Sequence, residues 1–190
     1  MAEKTGKREA KKTFFEVKAP MTAAKIMLYA SSAEELNGKV IILDLTRSLR
    51  GKNLEMRMRV VFDGTELGAE PLSLALAGSY IRRMIRKGTD YVEDSFIAQC
   101  KDYRVAVKPF LITRNKVSRA IQNSLRTASH EFLTGYLTAR TVKEMFSDIT
   151  TNKVQKELSL KLKKIYPLAL CEIRFFGIVS EKKDVAEAKK

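Results

Sequence analysis

The sequence predicts an α+β fold, an antiparallel sheet or partly closed β-barrel packed by helices and preceded by a basic N-terminal arm. Three observations carry this. Residues 53–64 and 94–114 alternate apolar and polar side chains, the period of a half-buried strand. Residues 115–166 place apolar residues three and four apart, the spacing of a helix face. An apolar run at 169–179 returns to strand character after the helices. Strands, then helices, then a closing strand fit α+β better than an alternating βαβ chain.

Each element follows in order. Residues 1–13 are polar, basic and aperiodic, a pattern of arms that fold on a partner. Residues 181–190 form a charged tail of mixed sign, leaving one α+β domain over 14–180. "GKVIILDLT" (38–46) is nearly continuous in apolar residues, as in a buried strand. In "NLEMRMRVVFDG" (53–64), Leu54, Met56, Met58, Val60 and Phe62 face one way, while Glu55, Arg57 and Arg59 face the other; Asp63-Gly64 supplies a turn. "EPLSLALAG" (70–78) fits either a strand or the approach to a helix. "SYIRRMIRK" (79–87) pairs Tyr80 with Met84 and Ile81 with Ile85 on one helical face. Arg82, Arg83, Arg86 and Lys87 then form a wholly cationic opposite face.

Phe96, Ala98 and Cys100 alternate, as do Tyr103, Val105 and Val107, which predicts a hairpin turning at Lys101-Asp102. Pro109 lacks a donor and is expected at an edge or at the ladder's end. A helix follows over 115–133, with Val117, Ala120, Ile121 and Leu125 inward. Thr141 and Glu144 have capping-box spacing before Val142, Met145 and Phe146. The helix opening on Asn152 turns Val154, Leu158 and Leu162 inward, and Pro167 bars its continuation.

The chain has 190 residues, with 36 Lys+Arg against 22 Asp+Glu, giving a net charge of +14 and a pI near 9.8. A basic balance of that size is the footprint of a nucleic-acid binder. Like charges at i,i+4 destabilise a helix by roughly 0.2–0.5 kcal/mol per pair. The pairs Arg82/Arg86 and Arg83/Lys87 therefore give no folding benefit unless a polyanion covers them. Basic residues recur on the arm (Lys4, Lys7, Arg8, Lys11, Lys12), on the hairpin (Lys101, Arg104, Lys108) and before and at the opening of the next helix (Arg114, Lys116, Arg119). Such faces together suit phosphate contacts, whose counterion release dominates affinity. Aromatic residues are sparse and mostly core-like and Trp is absent, so backbone and shape recognition are favoured over base stacking. A membrane surface would need outward Trp, Phe or Leu beside the charges, and here the apolar residues are needed for the core.

Chemistry is not signalled. His130 is the sole histidine and reads as a surface or capping residue. Cys100 and Cys171 have no C-x-x-C partner and read as small buried hydrophobes in a reducing compartment. No phosphate loop, dinucleotide fingerprint or nucleophile elbow occurs. Asp44, Asp63, Asp94 and Asp102 are the residues a metal-dependent nuclease would use, though Asp63 and Asp102 fall at turns. No cofactor or metal site is expected. No secretory leader or membrane span is seen, which points to the cytoplasm.

"FFEVKAP" (14–20), "GKVIILDL", "SYIRRMIRK", "CKDYRVAVKPFLIT" and "KKIYPLALCEIR" (163–174) resemble, in order, segments of one family. It is the small-subunit ribosomal protein family S-one-e, also written S-three-a-e, of archaea and eukaryotes, and the length resembles its archaeal form. The resemblance implies a non-enzymatic component of the small-subunit platform, near the mRNA exit and the rRNA 3′ end. Its implied partners are small-subunit rRNA, neighbouring platform proteins, and mRNA near the exit. The rRNA-facing residues it implies are Lys11, Lys12, Lys18, Arg82, Arg83, Arg86, Lys108 and Arg114. Lys87, Lys101, Arg104, Lys116 and Arg119 join them from the charge pattern. The sequence departs from the family pattern over 64–78 and at 101–103, where no Gly separates Asp102 from Tyr103. The competing reading from the residues is a free-standing nucleic-acid-binding regulator.

Overall fold

The computed structural model describes residues 12–19, 26–49 and 51–181. Lys11 and most of the arm and tail lie outside the described residues. The chain divides into two compact units, residues 1–41 with 58–70 and residues 42–57 with 71–190. Strands β3 (Val40–Asp44), β4 (Leu54–Phe62) and β5 (Leu67–Leu76) contribute to both.

In the smaller unit, β1 (Thr13–Val17) and β2 (Ile26–Ala30) pair antiparallel, with Phe14 opposite Tyr29 and Glu16 opposite Met27. Alternation sends Val17, Ile26 and Ala30 inward, where they are buried with Leu36, Met58, Val60, Leu67 and Ala69. Beyond β1, Lys18 makes a parallel bridge to Gly68: its N–H donates to the Leu67 carbonyl at 2.9 Å, and its carbonyl accepts from the Ala69 N–H at 3.0 Å. The turn expected at Asp63-Gly64 closes as the Asp63 N–H donates to the Glu66 carbonyl (3.2 Å). Gly64 sits at φ 86°, a conformation that costs other residues a Cβ clash.

The larger unit adds α1 (Gly78–Met84), β6 (Tyr91–Glu93), β7 (Phe96–Gln99), β8 (Tyr103–Thr113), α2 (Arg119–Thr138), α3 (Val142–Thr150), α4 (Lys153–Leu162) and β9 (Leu168–Glu181). Its sheet runs β3-β4-β5-β9-β8-β6, with β7 also on β8. The path has two ends, so the sheet is open rather than a partly closed barrel. The closing strand lies in its middle, antiparallel to β5 and β8. Helices α2 and α4 pack on the sheet, α3 packs on α4, and Phe146 meets Phe176 edge-on at 5.1 Å. The capping box forms: the Thr141 N–H donates to Glu144 Oε2 (3.0 Å) and the Glu144 N–H to Thr141 Oγ1 (3.4 Å).

Three expectations change, and two open points are settled. Strand β3 is an end strand rather than a buried one, and Val40 and Ile42 are each more than half exposed because fewer neighbours cover an edge. Pro109 neither ends the ladder nor sits at an edge. It is buried mid-strand, at a register shift against β9. On its other side β7 pairs only as far as Val107 and β6 begins at Phe110, so the missing N–H falls where β8 has no partner strand. Helix α2 starts at Arg119 and runs to Thr138, and its buried stripe is Leu125, Ser129, Leu133 and Leu137. Ala120 is exposed, and Val117 precedes the helix. The turn at Lys101-Asp102 needs no left-handed residue, since Asn152 is the one described non-glycine with positive φ. Residues 67–76 are strand, which settles the open choice there.

Candidate nucleic-acid interface

Helix α1 is shorter than its sequence pattern. It ends at Met84, and Ile85 is extended (φ −76°, ψ 119°) and 38% exposed rather than part of a core face. Arg82 and Arg83 stand on the helix, whereas Arg86 and Lys87 lie in the loop beyond it. The four cations therefore do not share one helical face. Continuing the helix would have stacked like charges at i,i+4 with no carboxylate to offset them. Instead the Thr89 N–H and hydroxyl take the Arg86 carbonyl at 3.3 and 2.8 Å, and Gly88 turns the chain at φ 86°.

Asp90 ties that loop to a second one. The Thr113 N–H donates to the Asp90 carbonyl at 2.9 Å, and the Asp90 N–H donates to Thr113 Oγ1 at 3.1 Å. Asp90 Oδ2 accepts from the Val117 N–H at 2.9 Å and from Gln122 Nε2 at 3.3 Å. The Thr113 hydroxyl also lies 2.8 Å from the Asn115 carbonyl, and Thr113 is fully buried. This lattice brings the loop of Arg86 and Lys87 against the one carrying Arg114 and Lys116, with Arg119 opening α2 beside it. Asp90 and Thr113 escaped the sequence reading because their bonds join segments 23 residues apart.

The other predicted residues are placed separately. Arg104 and Lys108 alternate with buried Val105 and Val107, so they stand on the opposite face of β8. Lys101 sits at the hairpin turn, its N–H donating to the Arg140 carbonyl at 3.2 Å. An 11-residue strand separates it from Arg114, about 33 Å at the usual rise. Lys12 and Lys18 belong to the smaller unit, where Lys18 is ion-paired to Glu66 at 2.7 Å.

Charge divides unevenly. The larger unit has 27 Lys/Arg against 14 Asp/Glu, and the smaller nine against eight. Ion pairs among the described residues include those of Lys18, Lys39, Lys52, Arg140, Lys153 and Arg174. None uses Arg82, Arg83, Arg86, Lys87, Arg104, Lys108, Arg114, Lys116 or Arg119. Arg83 instead donates to Asn53 Oδ1 at 2.9 Å and lies 5.8 Å from the Tyr80 ring.

Not all aromatic residues are core. Phe14 and Tyr29 are 69% and 58% exposed, with ring centroids 5.0 Å apart. Two of the four candidate aspartates serve local bonds: Asp44 accepts from the Thr46 N–H at 2.8 Å, and Asp94 from the Ser95 N–H at 2.9 Å. No group of three or more His, Cys, Asp or Glu converges among the described residues. His130 is exposed, its ring 4.3 Å from Phe96. Both cysteines are free, and burial pushes the thiols up to about 11 (Cys100) and about 12 (Cys171).

The sequence profile of the Ribosomal S3Ae family matches residues 2–182. The chain belongs to this family. Among S3Ae relatives, a small ribosomal subunit protein eS1 of Methanothermobacter thermautotrophicus is 32% identical over 58% of this chain and 57% of its own length. The eS1 protein of Nanoarchaeum equitans is 25% identical over 92% of each chain. That of Desulfurococcus amylolyticus is 24% identical over 85% of this chain and 80% of its own. The S3Ae segment "SYIRRMIRK" is thus a short helix plus a loop, and "RVAVKPFLIT" lies in strand β8.

Proposed function

We propose that this S3Ae chain is a structural component of the small ribosomal subunit that holds rRNA through the phosphate backbone. One observation carries the reading: nine of the cations predicted from the sequence, exposed or half-exposed in the larger unit, lack carboxylate partners among the described residues, and five of them flank the loops joined by Asp90. Unpaired cations on fixed loops meet phosphates without first breaking an internal ion pair. The family resemblance adds the finer location, the platform near the mRNA exit and the rRNA 3′ end. Neighbouring platform proteins and mRNA are further partners there, and the compartment is the cytoplasm. Lys11, Lys12, Lys18 and Lys101 belong to the proposed contact set, with Lys18 first leaving Glu66. The role is architectural rather than catalytic.

The test is binding of small-subunit rRNA at several salt concentrations. Arg82→Ala with Arg86→Ala is expected to reduce the slope of log K against log salt by about 2, roughly 1 per lost phosphate contact. Unfolding stability should move by less than about 0.5 kcal/mol, as for other surface changes. An unchanged slope overturns the assignment of this loop. Co-sedimentation with small subunits through high salt separates the assembled protein from a free-standing regulator, which would wash off.

A further inference from the structure

Beside β8 lies an open cleft of about 790 Å3. Two irregularities open it. Strand β6 ends at Glu93 opposite Phe110, and β7 starts at Phe96 opposite Val107, so Asp94 and Ser95 swing away from Lys108 and Pro109. Against β9, the register slips between the same two residues of β8. Proline makes this gap inexpensive, having no N–H to leave unpaired.

The walls are unusual for a chance gap. Phe175 is half-buried, its ring laid across Gly177 so closely that a Cβ there would sit 2.8 Å from it. Lys108 Nζ stands 5.5 Å from that ring's centroid. Arg174 spans β8 to bond both carboxylate oxygens of Glu93 (3.0 and 2.9 Å), which neutralises Glu93. Arg126 of α2 donates to the Glu93 carbonyl at 3.3 Å. Neither Lys108 nor Arg126 has a carboxylate partner among the described residues. The cleft thus combines an aromatic ring that a glycine leaves room for with two cations of its lining that have no carboxylate partner, Lys108 standing over the ring.

We propose that this cleft receives one unpaired nucleotide of bound RNA, its base against Phe175 and its flanking phosphates at Lys108 and Arg126. An aromatic face beside unpaired cations is how proteins hold extruded bases, because every base has a π-face and every nucleotide a charge. The surplus charge of this unit favours RNA over an apolar peptide as occupant. The proposal rests on the RNA-binding reading above and adds a single-stranded site to it.

The experiment compares an oligoadenylate with a fully paired RNA duplex, both bound to the full chain at about 0.1 M salt. Phe175→Leu is expected to weaken oligoadenylate binding at least about 5-fold, the low end for one stacked base, and to leave duplex binding within about 2-fold. Arg126→Gln, outside the cations assigned above to backbone contacts, should also weaken oligoadenylate selectively and lower its salt slope by about 0.7. Arg82→Ala with Arg86→Ala should weaken both probes. If Phe175→Leu misfolds and loses both, the exposed Arg126 decides, and equal loss on the two probes from Arg126→Gln overturns the site. Wild-type binding to duplex alone overturns the cleft and spares the wider reading; binding to neither probe overturns both. A photo-crosslinker at Ser95 should attach RNA in the particle, and attachment only to protein would give the cleft to a protein instead.

Discussion

The ammonium of Lys52 is bound by the carboxylate of Glu172, 120 residues away in sequence. Both side chains are nearly buried, 8% and 12% exposed, and Asn152 completes the site by accepting from Lys52 Nζ at 2.7 Å. Asn152 adopts the left-handed region (φ 59°), and no helix N–H bonds to its side chain. The Asn152 that the sequence offers as a helix opener is used to hold a lysine. Removing one member leaves the other buried and unpaired, which typically costs about 3–5 kcal/mol. Lys52→Met is expected to lower stability by about 3 kcal/mol, and Lys52→Met with Glu172→Leu to recover most of it. Urea unfolding midpoints check both. A single variant with wild-type stability would mean that water reaches Glu172.

Asp90 gives a prediction of unexpected sign. Asp90→Ala makes the chain more positive, which by charge alone should tighten RNA binding. It also removes the acceptor for the Val117 N–H and Gln122, freeing the loop of Arg114 and Lys116. Losing that part-buried acceptor should cost about 1–3 kcal/mol of stability. RNA affinity is expected to fall several-fold because the cations are no longer held together. Tighter binding by Asp90→Ala would show that net charge, not arrangement, sets affinity.

The capping box supplies a pH dependence. Bonds from Thr141 hold the Glu144 carboxyl below its ordinary value of 4.5. A lowered folded-state value means the contribution is complete above the unfolded value and disappears as pH falls through the folded one. Wild-type stability should therefore lose this contribution on acidification below about 4.5, whereas Glu144→Gln should lack that component. Thr141→Ala should cost about 1 kcal/mol at neutral pH, as for other N-caps. Thermal unfolding of the three proteins at several pH values checks this.

Both thiols are disfavoured as thiolates by burial, with values of about 11 for Cys100 and about 12 for Cys171. Since the thiolate is the reactive form, a disulfide-exchange reagent at mild alkaline pH should label the folded chain slowly. Both cysteines should react quickly in denaturant. Rapid labelling of the folded protein would place a cysteine in an opening segment.

Much of the fold was legible where a local rule acts alone. Leu54, Met56, Met58 and Val60 are buried as their alternation requires, and the Thr141–Glu144 box forms at its expected spacing. Misreadings occurred where tertiary neighbours override the local rule. Ile42 is as apolar as any core strand residue, but its strand ends the sheet. Ile85 continues the helical spacing, yet the chain leaves the helix there. For the candidate site, the cations were legible as types. Arg126, Arg174 and Phe175 were missed because nothing local says that β6 and β7 part opposite Pro109.

The sequence by itself determined the surplus of positive charge, the α+β order of elements and the family. These follow from composition, periodicity and ordered short motifs, which are properties of neighbours along the chain. Only the tertiary structure decided that Asp90 gathers two basic loops, that Lys52 is committed to Glu172, and that a cleft opens over Pro109. Each depends on hydrogen bonds or strand pairings between segments tens of residues apart, and their geometry exists only once the sheet has formed.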